Sequence, residues 1–197
     1  MMKRVFIVHG WSGFPNEGWF PWLSNELKNL GCDVFVLSMP HPNEPTIDDW
    51  VEFLRKNVGI VDRNTYLVGH SIGCQTILRY LEGSGKSEKV GGVVLVAGWV
   101  HLLPLALEEE GSLSIAKEWL KTPLDWNAIK SHSVSFSYIA SSDDYFVPLS
   151  DCDIFKEKLG AKVLVVEKGG HFSGSDNIVM LPEALSELKR MMNNILK

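Results

Sequence analysis

The sequence lacks the features that mark membrane-spanning, nucleic-acid-binding and secreted proteins. No apolar run in its 197 residues approaches the ~20 residues needed to cross a bilayer. No basic block offsets the net charge of −5, so nucleic acid is not an expected partner. The first strand-like run begins at residue 3, which leaves no room for a signal peptide before it. We therefore expect a cytoplasmic protein with no membrane span.

Cysteine is scarce as well. Cys32, Cys74 and Cys152 are widely spaced and form no C-x-x-C pair, which favours free thiols in a reducing compartment. The four histidines other than His9 and His171 show no i, i+4 pair and no neighbouring cysteine cluster, so a zinc site has little support. These are His41, His70, His101 and His132. We expect neither a metal nor a cofactor.

The chain also contains no internal repeat, low-complexity block or linker that would divide it. Its hydrophobic content of 45% and charged content of 22% are those of an ordinary soluble protein. A chain of this length is long enough to bury a sizeable core. We therefore expect a single domain over residues 1–197.

Apolar, strand-like runs alternate with segments of helical periodicity. Leu23, Leu27 and Leu30 share one face of the first helical segment, and a second begins at Thr46, a candidate N-cap. Such alternation predicts an α/β fold, a compact three-layer sandwich with about six mostly parallel strands and helices on both faces. The expected strands are residues 3–8, 33–38, 65–69, 91–97, 134–140 and 162–166, and the last helix is residues 182–195. Between the fourth and fifth expected strands the helical periodicity is weaker, which predicts a short helical flap around residues 99–130.

A serine lies between two glycines where one strand is expected to pass into a helix. The segment Gly69-x-Ser71-x-Gly73 follows an apolar run and precedes helical periodicity. This pattern is typical of a nucleophile elbow, in which a tight turn exposes the serine hydroxyl and glycines avoid collisions. The alternative is a glycine-rich turn with a capping serine.

A base and an acid follow at the ends of later strands. His171 lies in a glycine-containing loop after the run 162–166, where an imidazole could activate Ser71. Asp143 and Asp144 both follow the run 134–140. We favour Asp144 because Asp144-x-x-Val147-Pro148 is similar to a signature of α/β-hydrolases, and we expect Asp143 to be a turn or cap residue. The order serine, acid, histidine is also that of α/β-hydrolases.

The segment after the first strand is a candidate oxyanion loop. Gly10 lets the backbone approach the reacting centre, and the N–H of Trp11 would pair with that of Ile72, the residue after the serine. For His9 we favour an orienting hydrogen-bonding role over proton transfer. Four aromatic residues near the expected strand ends are candidates for an apolar substrate pocket, although each could equally belong to the core. They are Trp11, Phe14, Trp99 and Phe172.

These motifs together resemble a known family. In chain order they are Val8-His9-Gly10, Gly69-x-Ser71-x-Gly73, Asp144-x-x-Val147-Pro148 and Gly170-His171-Phe172. The chain resembles the small serine hydrolases related to retinoblastoma-binding protein 9. The resemblance implies a compact α/β-hydrolase fold with a triad of Ser71, Asp144 and His171. It fixes no natural substrate, and no L-x-C-x-E segment predicts a retinoblastoma-type partner.

The function favoured by these residues is hydrolysis of a small carboxylic ester through an acyl-enzyme on Ser71. The expected partner is therefore a small-molecule acyl substrate. Amidases, peptidases and thioesterases use the same machinery, and the sequence does not choose among them. A non-catalytic protein-binding module on a hydrolase scaffold is the alternative from another class.

Overall fold

The computed structural model of the protein describes residues 2–108 and 110–194. Its centre is a six-stranded sheet in the order β2-β1-β3-β4-β5-β6, in which all the neighbouring strands are parallel. The strands are β1 (Arg4–Val8), β2 (Asp33–Leu37), β3 (Thr65–His70), β4 (Gly92–Val96), β5 (Phe136–Ser141) and β6 (Lys162–Val166). All six expected strands are confirmed. Their ends shift by two residues at most.

Helices cover both faces of this sheet, which confirms the expected three-layer α/β sandwich. Leu54, Leu78 and Phe155 belong to one buried cluster, whereas Leu23 and Leu188 belong to a second cluster on the opposite face. The helices are α1 (Phe20–Asn29), α2 (Ile47–Val58), α3 (Ile72–Glu82), α4 (Ser112–Lys121), α5 (Trp126–Ser131), α6 (Asp151–Leu159) and α7 (Pro182–Asn194). The expected end of the last helix at residue 195 lies outside the described residues.

Local sequence explains where the helices begin and end. The Thr46 hydroxyl accepts a hydrogen bond from the Asp49 N–H, so the expected N-cap of α2 is confirmed. Gly31, with φ of +79°, follows α1 and ends it in a left-handed conformation. Within the described residues, no helix combines the length and apolar character required to span a bilayer.

The segment between β4 and β5 contains a short 3₁₀ helix (Pro104–Leu107) together with α4 and α5. It is fastened to α3 by Arg79, a buried side chain whose guanidinium donates to the carbonyls of Trp119 (2.8 Å) and Thr122 (2.9 Å). The Trp119 indole donates to the Pro45 carbonyl. The two Arg79 bonds satisfy carbonyls at the end of α4. Together with the indole bond, they attach α4 to α3 and to the segment before α2.

Because the strands are parallel, their carboxyl ends lie along one edge of the sheet, and the loops that follow them meet there. The relevant loops follow β1, β3, β4, β5 and β6. The candidate site residues identified in the sequence lie in these loops or at the start of α3. The topology therefore brings together segments that are distant in the chain.

The packing of α7 predicts a measurable contribution to stability. Leu188 is fully buried against the sheet, so Leu188→Ala removes apolar contacts and leaves a cavity. We expect the free energy of unfolding in urea to fall by about 2–5 kcal/mol. The neighbouring Lys189→Ala is the matched control, since Lys189 is exposed, and its effect should stay within about 0.5 kcal/mol. Equal effects of the two substitutions would contradict the described packing of α7.

Candidate active site

Ser71 occupies a sharp turn between β3 and α3. Its backbone has φ of 53° and ψ of −121°, which is unfavourable for any residue with a side chain. A Cβ atom at Gly69 would lie 2.8 Å from the Cys74 nitrogen, and one at Gly73 would collide with the Val8 carbonyl oxygen. The Ser71 side chain makes no capping hydrogen bond to α3. The geometry is therefore that of an elbow, and the capping alternative is wrong.

His171 and Asp144 form a buried pair. The His171 Nδ1 lies 3.0 Å and 3.1 Å from the two carboxylate oxygens of Asp144, and both side chains are less than 10% exposed. Asp144 Oδ1 also accepts the N–H groups of Phe146 and Val147, which fixes the carboxylate. A carboxylate at Nδ1 selects the tautomer with its proton there and leaves Nε2 as an acceptor.

Asp143 has a different environment. It is exposed, and its Oδ1 accepts hydrogen bonds from the Ser141 hydroxyl (2.7 Å) and the Gly170 N–H (3.0 Å). These hydrogen bonds hold the pKa of Asp143 below its usual value. Asp143 thus lies in a turn away from the imidazole, and the carboxylate that faces His171 is that of Asp144.

Ser71 and His171 line the same cavity, which has a volume of about 790 Å³. No hydrogen bond joins the Ser71 hydroxyl to the His171 ring in this arrangement. Such bonds are often long in unliganded enzymes and tighten when substrate binds. The serine, the histidine and the aspartate expected from sequence thus meet at one edge of the sheet.

The backbone near Ser71 provides unoccupied donors. Trp11 and Ile72 both line the cavity, and neither main-chain N–H is among the hydrogen-bond donors of the described residues. The Trp11 indole donates to the Asn43 carbonyl, which holds the loop. A Cβ atom at Gly10 would lie 3.4 Å from the Ser71 Cβ, so this loop passes close to the serine. Two free N–H groups beside a serine hydroxyl are donors of the kind that can bind an anionic oxygen.

Two other histidines support the surrounding loops. The His9 Nε2 accepts the Met39 N–H, and its Nδ1 lies 2.8 Å from the Gly10 carbonyl, which confirms the orienting role. The His70 Nε2 lies 2.7 Å from the His171 carbonyl oxygen. Since a carbonyl oxygen can only accept, this nitrogen carries the proton. Burial lowers the pKa of His70 to about 3, so its ring is neutral. This role of His70 was not predictable from the sequence, where His70 is the variable residue before Ser71.

The cavity wall differs in part from the expected one. Trp11 and Trp99 line it, but Phe14 and Phe172 do not. Phe14 is 55% exposed, and Phe172 is buried among the residues of the core beside α1 and α7. Phe172, with φ of +56°, packs in that core, whereas its neighbour His171 lines the cavity. Further apolar and aromatic residues of the wall were not expected from the sequence, and they include Leu102, Leu105, Ala106, Ile115, Tyr145 and Phe146.

Comparison with known proteins identifies the family. A family model described as serine hydrolase matches residues 5–190. The chain belongs to the serine hydrolase family. It is 34% identical over 182 residues to the hydrolase YdeN of Bacillus subtilis (strain 168), with 92% of each chain covered. It is 26% identical over 176 residues to the serine hydrolase RBBP9 of Rattus norvegicus, covering 88% of this chain and 89% of that protein.

Solved structures confirm the α/β-hydrolase fold of this serine hydrolase. The crystal structure of the ydeN gene product from B. subtilis superposes with a TM-score of 0.87 at 32% identity, covering 98% of this chain and all of the other. An esterase of Pyrococcus furiosus superposes with a TM-score of 0.62 at 15% identity, covering 98% and 81% of the two chains. The second likeness concerns the fold alone. In residues 2–108 and 110–194, no cluster of His, Cys, Asp or Glu suits a metal ion.

The turn at Ser71 predicts an unusual effect of a helix substitution. Glycine to alanine within a helix normally stabilises by up to ~1 kcal/mol. Gly73→Ala should instead destabilise by about 1–3 kcal/mol, because the new methyl group collides with the carbonyls of Val8 and His9. The measurement is urea unfolding, with Gly85→Ala as the control, since its nearest contact is a flexible Glu88 side chain. A stabilised Gly73→Ala protein would show that the turn is looser than described.

Burial of His70 predicts a pH dependence of stability. Its pKa is about 3 when folded, compared with an ordinary 6.5, so the unfolded chain binds a proton that the folded chain does not. Stability is therefore lost as pH falls from 6.5 towards 3. Between about pH 5.5 and 4, the wild type should lose about 1.4 kcal/mol per pH unit more than His70→Asn. Urea unfolding at several pH values measures this difference, and identical slopes would rule out a buried neutral His70.

Proposed function

We propose that this serine hydrolase cleaves a small carboxylic ester by acyl transfer through Ser71. The single observation that carries the proposal is the buried pair of Asp144 and His171, whose histidine lines one cavity with a serine held in a strained turn. A strained, exposed serine needs a base to become a nucleophile, and an oriented imidazole is the usual one. The family membership of the chain supports the same reaction class.

The first half-reaction forms the acyl-enzyme. His171 Nε2 accepts the Ser71 proton while Ser71 Oγ bonds to the ester carbonyl carbon, whose π electrons move to the carbonyl oxygen. The N–H groups of Trp11 and Ile72 donate to this oxyanion. When the carbonyl re-forms, the bond to the alcohol oxygen breaks, and His171 gives its proton to that oxygen. Asp144 holds the imidazole in the required tautomer and stabilises its charged form.

The second half-reaction regenerates the enzyme. Water loses a proton to His171 Nε2 and attacks the acyl carbon, and the resulting oxyanion uses the same two N–H groups. Collapse of this intermediate returns the proton to Ser71 and releases the carboxylic acid. Leu102, Leu105 and Ile115 supply an apolar wall for the acyl or alcohol group, with Trp11 and Trp99 nearby.

The same steps cleave amides, peptides and thioesters when the leaving atom is nitrogen or sulfur. A panel of short acyl esters, thioesters and aminoacyl amides assayed with one enzyme preparation distinguishes these substrates. Highest kcat/KM for the esters supports the proposal, whereas a clear preference for another class replaces it with an amidase, peptidase or thioesterase.

Removal of the nucleophile should abolish turnover without loss of folding. We expect Ser71→Ala to lower kcat for p-nitrophenyl acetate by about 10³–10⁶-fold, because the triad acts as a unit. Ser131→Ala is the control, since Ser131 is exposed at the end of α5 and away from the cavity. Fluorophosphonate should label the wild type and the control but not Ser71→Ala. Unlabelled wild-type protein would favour the non-catalytic binding module.

Two adjacent aspartates allow a matched test of the acid. Asp144→Asn should lower kcat by about 10²–10⁴-fold, because an amide no longer selects the correct tautomer of His171. Asp143→Asn should change kcat by less than about tenfold, since an amide oxygen still accepts from Gly170 and the imidazole keeps its partner. The measurement is steady-state kinetics on p-nitrophenyl acetate. Similar losses in the two variants would refute the assignment of Asp144.

A further inference from the structure

A third aspartate, Asp176, contacts the main chain of His171 rather than its ring. Its Oδ2 accepts the N–H of His171 (3.0 Å), the N–H of Ser173 (2.9 Å) and the Ser173 hydroxyl (2.7 Å). Its Oδ1 accepts the Tyr145 hydroxyl at 3.0 Å. Tyr145 directly follows Asp144, so one carboxylate joins the loop of the histidine to the loop of the acid.

The loop after β6 needs such support. Lys168, Gly170 and Phe172 all have positive φ, with values of 57°, 54° and 56°. This left-handed conformation is unfavourable for Lys168 and Phe172. No strand or helix contains residues 167–173, and their path is held by a turn bond from the Phe172 N–H to the Gly169 carbonyl and by side-chain contacts.

The two polar groups of the His171 main chain are held from different directions. Asp176 accepts its N–H, while His70 donates to its carbonyl. Asp144 then fixes the ring through Nδ1. With the main chain and Nδ1 fixed, the position of Nε2 relative to Ser71 is determined. A displacement of a reacting group by 1 Å can lower a rate by about 100-fold.

Gly170 makes room for this carboxylate. A Cβ atom at Gly170 would lie 2.5 Å from Asp176 Oδ1 and 2.6 Å from its Cγ, so a side chain there would displace Asp176. The absence of a side chain at Gly170 therefore leaves room for Asp176 and also permits the positive φ at this position. Burial alone would raise the pKa of Asp176, but its hydrogen bonds with Ser173, Tyr145 and His171 lower it.

We propose that Asp176 is a positioning residue that holds the His171 main chain so that Nε2 reaches the Ser71 hydroxyl. The proposal rests on the function proposed above. Asp176 does not touch the reacting atoms and transfers no proton. Its contribution is the fixed path of the loop that carries the base, together with the link through Tyr145 to the loop that carries Asp144.

The test compares two substitutions at Asp176 with a matched control. Asp176→Ala removes the acceptor for both N–H groups and should lower kcat by about 10–100-fold with KM changed by less than about threefold. Asp176→Asn should keep at least about a third of kcat, since its amide oxygen accepts the N–H groups and its amide nitrogen donates to Tyr145. Asp125→Ala likewise removes an acceptor for two main-chain N–H groups, those of Asn127 and Ala128, but lies at α5 outside the cavity. Its kcat should be unchanged.

The outcomes separate positioning from general stability. A kcat for Asp176→Ala equal to that of Asp125→Ala overturns the proposal, as does an equal loss in Asp176→Asn and Asp176→Ala. If Asp176→Ala does not fold, Tyr145→Phe removes only the bond to Oδ1 and should lower kcat severalfold at unchanged KM. An unchanged kcat in that variant counts against the proposal.

Ser71→Ala, assayed in the same series, distinguishes this proposal from the proposed function. If Ser71→Ala retains activity, the proposed mechanism itself fails. If Ser71→Ala is inactive while Asp176→Ala keeps full kcat, only the positioning role of Asp176 fails. The rate of fluorophosphonate labelling at Ser71 gives a second reading that needs no ester substrate. It should be slower in Asp176→Ala than in Asp125→Ala.

Discussion

The abrupt passage from strand to helix at Ser71 is the constraint on which the site depends. The turn is tight because the start of α3 packs directly on the end of β1, where Gly73 lies against the Val8 carbonyl. The same contact brings the loop containing Gly10 and Trp11 beside the serine. A strained backbone of this kind persists only when surrounding packing enforces it, and the buried strands β1, β3 and β4 provide that packing.

Much of this arrangement follows from local sequence. Buried parallel strands are mainly apolar runs, which made β1, β3 and β4 predictable. Strand β5 was predictable from its alternation of apolar and polar residues. The glycine spacing around Ser71 predicts the turn, since only glycine fits where backbone atoms approach so closely. The spacing of Asp144-x-x-Val147-Pro148 has a physical basis too, because the carboxylate accepts the N–H groups of Phe146 and Val147. Such motifs therefore reflect steric contacts and hydrogen bonds close to the motif itself.

Features set by loop conformation were not predictable. Phe172 lies next to His171 in the chain, yet it has a positive φ and is buried in the cluster beside α1 and α7. The role of His70 depends on a carbonyl about a hundred positions away in the chain, and the contacts of Asp176 depend on how the last loop folds. Leu102, Leu105 and Ile115 of the cavity wall lie where the hydrophobic periodicity is weak, so the sequence does not predict which side chains face the cavity.

The attachment of this wall by Arg79 has a consequence for how the protein can diversify. Arg79 joins α4 to the helix that begins after Ser71, whereas Asp144 and His171 come from the ends of β5 and β6. Part of the cavity wall, including Leu102, Leu105 and Ile115, thus lies between β4 and β5, in a stretch of the chain that contains neither Ser71, Asp144 nor His171. Insertions or exchanges between β4 and β5 can remodel ligand preference during evolution while the strand-end loops retain their geometry.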